Sequence, residues 1–75
     1  MNKKLLDILN IVLENNDLKT LDGYRSTMVL QDELGLDSIM LAELTVRLED
    51  EFEIDVFEEG MVHSIGDIEK RLGIN

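Results

Sequence analysis

A chain of 75 residues suffices for one small domain near the lower limit of what folds on its own core, with no room left for an enclosed active-site cavity. At 44% apolar and 32% charged residues it can build a core under a soluble surface. The absence of cysteine excludes disulfides, thiolate metal sites and a cysteine nucleophile. The net charge of -10 is unevenly placed: residues 1–30 balance four acids against four bases, whereas residues 31–75 hold thirteen acids against Arg47, Lys70 and Arg71. Such a field repels phosphate backbones and anionic lipid and speeds encounter with basic protein surfaces, so no nucleic acid partner is expected.

Leu5, Leu6, Ile8, Leu9, Val12 and Leu13 recur at helical spacing with Asp7, Asn10 and Glu14 opposite, which predicts a first helix from Lys3 to Asn15. The same polar residues break the apolar run that an export signal would need after the two lysines. No stretch approaches the roughly 20 apolar residues of a membrane span. A cytoplasmic protein with no membrane span, one domain over residues 1–75, is the expectation. Asn15-Asn16-Asp17 favours a cap and turn.

From Asp17 to Glu33 no period is sustained, and Leu18, Leu21, Tyr24, Met28 and Leu30 suggest a long loop pinned to the core by its side chains. A calcium loop over Asp17 to Gly23 is rejected, because Lys19 and Leu21 occupy positions that need oxygen ligands. Asp37 is a good N-cap for a second helix, Leu36 and Leu41 take the positions of a hydrophobic staple, and Met40 stands where the glutamate of a capping box would be. Ser38 becomes the first residue of that helix, with a reachable hydroxyl. Leu41, Leu44, Leu48 and Phe52 form its core face, whereas Ile39, Ala42 and Val46 lie opposite among Glu43 and Asp50, an apolar patch with an acidic rim.

Glu49 to Glu59 contains seven acids. Glu53 to Phe57 alternates like a strand without an evident partner; a loop with inward hydrophobes is expected, followed at most by a short helix near Glu58 to Val62. Ser64 and Asp67 suit a serine cap with an acid three residues on. Ile65, Ile68 and Leu72 then make the buried stripe of a last helix, with Lys70 and Arg71 at its negative end and Gly73 after it. The fold class expected is all-α, a small bundle of three to four helices with a long loop between the first two.

Ser38, His63 and several aspartates invite a catalytic triad, but there is one histidine and no glycine-flanked nucleophile. No catalytic residue and no metal cage is specified.

Glu33-Leu34-Gly35-Leu36-Asp37-Ser38-Ile39, followed by Leu44, Leu48 and Glu49-Asp50-Glu51-Phe52, resembles the signature of acyl carrier proteins and the related peptidyl carrier domains. The tripeptide Asp37-Ser38-Ile39 alone is weak. Its place at the start of an acidic helix ending in Glu-Phe, together with chain length and charge, makes the match specific, and it extends diffusely over nearly the whole chain.

That resemblance implies a bundle of acyl-carrier type and a covalent 4′-phosphopantetheine arm on Ser38, beside Asp37, donated from coenzyme A by a magnesium-dependent phosphopantetheinyl transferase. Acyl or aminoacyl groups would ride on its thiol as thioesters, loaded by a ligase or acyltransferase and passed to downstream synthases or transferases with basic docking surfaces. A helix N-terminus suits the phosphodiester anion. The partner surface it implies comprises Ile39, Met40, Ala42, Glu43, Val46, Arg47, Glu49 and Asp50 on a monomer. Met40 replaces an acid common after the serine in fatty-acid carriers, and Arg47 adds a cation to a helix that is usually almost wholly acidic. Both favour a specialised pathway over housekeeping fatty-acid synthesis. The alternative is a non-catalytic acidic helical adaptor that binds a basic partner without a prosthetic group.

Overall fold

The computed structural model describes residues 1–58 and 60–74. Three helices form, α1 (Lys3–Asn15), α2 (Ser38–Phe52) and α3 (Ile65–Leu72), so the bundle is all-α. Each boundary has a local cause. Asn2 accepts the Leu5 N–H to open α1, and Asp17, in the left-handed region at φ 58°, closes it. There the Leu18 N–H reaches the Leu13 carbonyl and the Asp17 N–H the Glu14 carbonyl, which satisfies two carbonyls that the helix end would leave unpaired. At α3 the expected cap is complete: Ser64 accepts from the Asp67 N–H while Asp67 accepts from the Ser64 N–H. Gly73 at φ 73° ends the helix with the same pair of bonds, from Gly73 to Lys70 and from Ile74 to Glu69.

Six of the seven apolar residues of α1 are buried, and Ile11 is exposed. They pack against α2, whose Leu41, Leu44 and Leu48 are buried while Phe52 is half-buried against the same core. Ile65, Ile68 and Leu72 of α3 complete it. A polar seam fixes α1 antiparallel to α2. Lys4 Nζ meets Glu51 Oε1 at 3.0 Å near one end, and Asn15 and Asn16 donate to Glu43 at the other.

Segment 17–37 is held as a loop by its side chains. Leu30 is buried, and Leu18, Leu21, Tyr24 and Met28 pack against the core. Asn10 of α1 uses its side-chain amide both ways, donating to the Leu21 carbonyl at 2.8 Å and accepting the Leu21 N–H at 2.7 Å. Tyr24 Oη accepts from the Asn2 N–H at 2.8 Å and donates to Glu69 at 3.1 Å, and Ser26 Oγ donates to the other oxygen of that carboxylate. An antiparallel bridge joins Val29 to Ser64, with N–H bonds from Leu30 to His63 and from Ile65 to Met28.

In the segment between α2 and α3 one expectation fails, the inward packing of Ile54. At most a short helix is expected near Glu58 to Val62; the described residues make a turn over Val56–Glu58 and then extended chain, and Glu59 lies outside them. Ile54 is 38% exposed rather than packed inward, although Val56 is buried. Arg71 lies in the last turn of α3, as expected, and its side chain also reaches the preceding segment. Its guanidinium donates to the Val56, Gly60 and Met61 carbonyls at 2.8, 2.6 and 3.4 Å. One cation thus satisfies three peptide carbonyls of the segment between α2 and α3.

Gly66 tests this docking of the loop, because a Cβ there would lie 2.9 Å from the Ser26 carbonyl oxygen, whose backbone already accepts the Gly66 N–H at 2.8 Å. Gly66→Ala is expected to lower stability by about 1–3 kcal/mol through overpacking, measured by urea denaturation.

Candidate functional site

A short helical turn leads into the site. Residues 31–34 form it, with N–H bonds from Glu33 and Leu34 to the Val29 carbonyl and from Gly35 to the Gln31 carbonyl. Gly35 sits at φ 80°, where a Cβ would be strained, and its reversal lets the Leu36 N–H return to the Leu30 carbonyl at 3.1 Å. Leu36 is thereby buried at 2% exposure, as is Leu41 one turn into α2, which fits the staple expected of them. Asp37 between them is exposed and extended at φ -92°, and its Oδ1 accepts the Met40 N–H at 2.9 Å.

Ser38 is exposed at the first position of α2. The helix supplies i→i−4 partners only from the following turn onward, and Asp37 takes the amide of Met40. The amides of Ser38 and Ile39 remain for an outside acceptor, at the positive end of the helix dipole. A phosphodiester on the Ser38 hydroxyl would meet there a side chain in solvent, a capped helix start beneath it and two N–H groups that the helix does not pair. The residues present therefore fit the arm.

The face running from Ser38 carries Ile39 at 80% exposure and Val46 at 68%, with Ala42, Glu49 and Asp50 also exposed. A shallow groove along it is lined by Glu43, Val46, Arg47, Glu49, Asp50 and Glu53. Two residues expected on this surface have divided roles. Met40 is half-buried against the core. Glu43 is half-buried, accepting from Asn15 and Asn16 of α1 and from Arg47 Nε at 3.1 Å. Hydrogen bonds from Asn15, Arg47 and Asn16, in that order, hold its carboxyl below the usual range. Arg47 is thus paired one turn away along its own helix, while Glu49 and Asp50 project into solvent.

Sequence reasoning missed Glu69, and with it that Tyr24 donates to that carboxylate and that Arg71 reaches the Val56, Gly60 and Met61 carbonyls. Glu69 is 4% exposed, and its position was legible, since it follows Ile65 by four residues and precedes Leu72 by three on the buried stripe of α3. The tyrosine phenol is pushed up mainly by burial and further by the Glu69 carboxylate. No comparable periodic signal marks Arg71.

The model of the phosphopantetheine attachment site family matches residues 4–72, and the chain belongs to that family. Its members carry covalently attached 4′-phosphopantetheine, so this is a phosphopantetheine carrier domain. Carrier domains of this kind work with transferases and synthases. No curated protein and no solved structure matches the chain. Among the described residues no helix is long and apolar enough to cross a membrane, and no group of three or more metal-ligating side chains comes together.

Asp37→Ala removes the cap beneath the serine and is expected to cost about 1 kcal/mol of stability, read by urea denaturation. Acid exposes two further carboxylates. Glu43 and Asp67 lie below their ordinary values of 4.5 and 3.8, the latter chiefly through the backbone N–H groups of His63 and Ser64. Each favours the native state above its unfolded value and loses that contribution as pH falls through the lowered folded value. Melting temperature should therefore drop as pH is taken from 5 to about 3, and Asp67→Asn should flatten that drop.

Proposed function

We propose that Ser38 is the attachment point of the phosphopantetheine arm and that α2 is the surface partner enzymes read. The observation that carries this is the exposed Ser38 hydroxyl at the capped start of α2, inside the matched span of an attachment-site family. Attachment joins Ser38 Oγ to the β-phosphorus of coenzyme A, breaks the bond from that phosphorus to 3′,5′-ADP, and passes the hydroxyl proton to a base of the transferase. Asp37 keeps the helix start rigid, and the Ser38 and Ile39 amides face the resulting phosphodiester. The arm supplies a thiol, which holds acyl or aminoacyl cargo as a thioester and raises its local concentration at each docked enzyme.

The chain itself performs no turnover on this reading; it works as a cytoplasmic monomer. A phosphopantetheinyl transferase, a loading ligase or acyltransferase, and downstream synthases act on it. Ile39, Ala42, part of Met40 and Val46 supply apolar contact, and Glu49 and Asp50 the charge, with Glu43 and Arg47 at the edge beside α1. Met40 and Arg47 support a specialised pathway, because they replace acid with apolar and basic character on the partner face.

Incubation with coenzyme A and a promiscuous transferase should add one phosphopantetheine to the native chain and none to Ser38→Ala, measured by intact mass. Failure of the native chain to gain mass with several transferases would sink the assignment. Charge reversal at Glu49 and Asp50 should raise the KM of the transferase with little change in kcat, and the difference should shrink as salt passes about 0.15 M. Glu43 is unsuited to this test, since its reversal would also break the tie to α1.

A further inference from the structure

The groove on the outer flank of α2 is framed by Glu43, Val46, Arg47, Glu49, Asp50 and Glu53. Residues 43, 46, 47, 50 and 53 recur at spacings of three and four, so they share one stripe of the helix surface. Four of the six side chains are acids, one is the exposed Val46, and one is a cation. That cation is not a loose surface charge. Arg47 Nε donates to Glu43 Oε2 at 3.1 Å, and the same carboxylate is fixed by the Asn15 and Asn16 side chains, each at 3.3 Å. The bond spends one donor of the guanidinium and keeps those of its terminal amino groups, while the side chain remains 41% exposed. A planar fork held on its own helix loses less freedom on meeting a second carboxylate than a lysine would.

We propose that Arg47 is a specificity-determining residue of this docking face, penalising protein surfaces that are basic throughout and fitting a partner that sets a carboxylate against it. This rests on the reading of α2 as the surface that partner enzymes meet. Like charges brought together at an interface cost affinity, and opposite charges set register. At the edge beside α1 both Glu43 oxygens already accept hydrogen bonds, so Arg47 is the group that offers a new one there. The partner segment that fits the groove therefore places an apolar side chain on Val46, cations against Glu49, Asp50 and Glu53, and one acid opposite Arg47.

The test follows transfer from coenzyme A by a promiscuous transferase with a basic docking face. Arg47→Met keeps the apolar stem and removes the charge; it should lower KM by about threefold, and Arg47→Glu by about tenfold, with little change in kcat. Lys70→Met makes the same change in net charge on α3, beside a different depression, and should leave KM unchanged. Each lysine and arginine of the transferase docking face is then reversed to glutamate in turn. One reversal should lower KM for the native chain and raise it for Arg47→Glu. An unchanged KM with Arg47→Met, an equal effect of Lys70→Met, or the failure of every reversal to couple with position 47 overturns the proposal. Reversal at Glu49 and Asp50 separates this inference from the reading beneath it. An unchanged KM there refutes docking on α2 itself, whereas a raised KM with Arg47→Met silent refutes only the role of Arg47. Arg47→Glu sets like charges one turn apart, so circular dichroism checks its fold, and Arg47→Met decides the question if that variant does not fold.

Discussion

Segment 17–37 joins two helices without becoming one, and the rest of the structure depends on how its peptide groups are satisfied. A loop that crosses a core needs a partner for each buried N–H and carbonyl. Here the partners come from three directions: the Asn10 amide from α1, the Met28–Leu30 pairing with His63–Ile65, and the Glu69 carboxylate from α3. Glu69 matters most, because a carboxylate that is nearly fully buried must be hydrogen-bonded to be tolerated. Tyr24 and Ser26 meet that demand and in doing so fix the middle of the loop on α3. The Gly35 reversal and the start of α2 then follow from a chain already anchored.

Much of the fold was legible because it rests on local signals. The apolar stripe of α1, the Asp37 cap, the capping box of Ser64 and Asp67 and the terminal Gly73 each act within a few residues, and each appears where its spacing places it. What was not legible depends on pairs distant in sequence. Arg71 reaches back to Val56, and Glu43 reaches back to Asn15 and Asn16. Ile54, expected to pack inward, is 38% exposed, and local pattern contains no information about a cation arriving from the last helix. Asn15-Asn16 likewise read as turn residues, which they are, without revealing that their amides also hold α2.

For the site, the serine and its cap were apparent from sequence, and the exposed character of Ile39, Ala42, Val46 and Asp50 followed from the wheel. The wheel could not show that Glu43 and Met40 are half committed elsewhere. Periodicity assigns a face to a residue, but not the length of its reach or the neighbours it meets on adjoining helices.

The seam between α1 and α2 divides the second helix into two flanks with different obligations. Along one, Glu43 and Glu51 are bonded to α1, so exchanging them disturbs how the helices sit. Along the other, Ile39, Val46, Glu49 and Asp50 meet chiefly solvent, and substitutions at such positions shift stability by little. If α2 is the face partners read, as proposed, stability and recognition fall to separate residues of one helix. Descendants of this chain can change what the outer flank says to other proteins while the bundle beneath it stays the same.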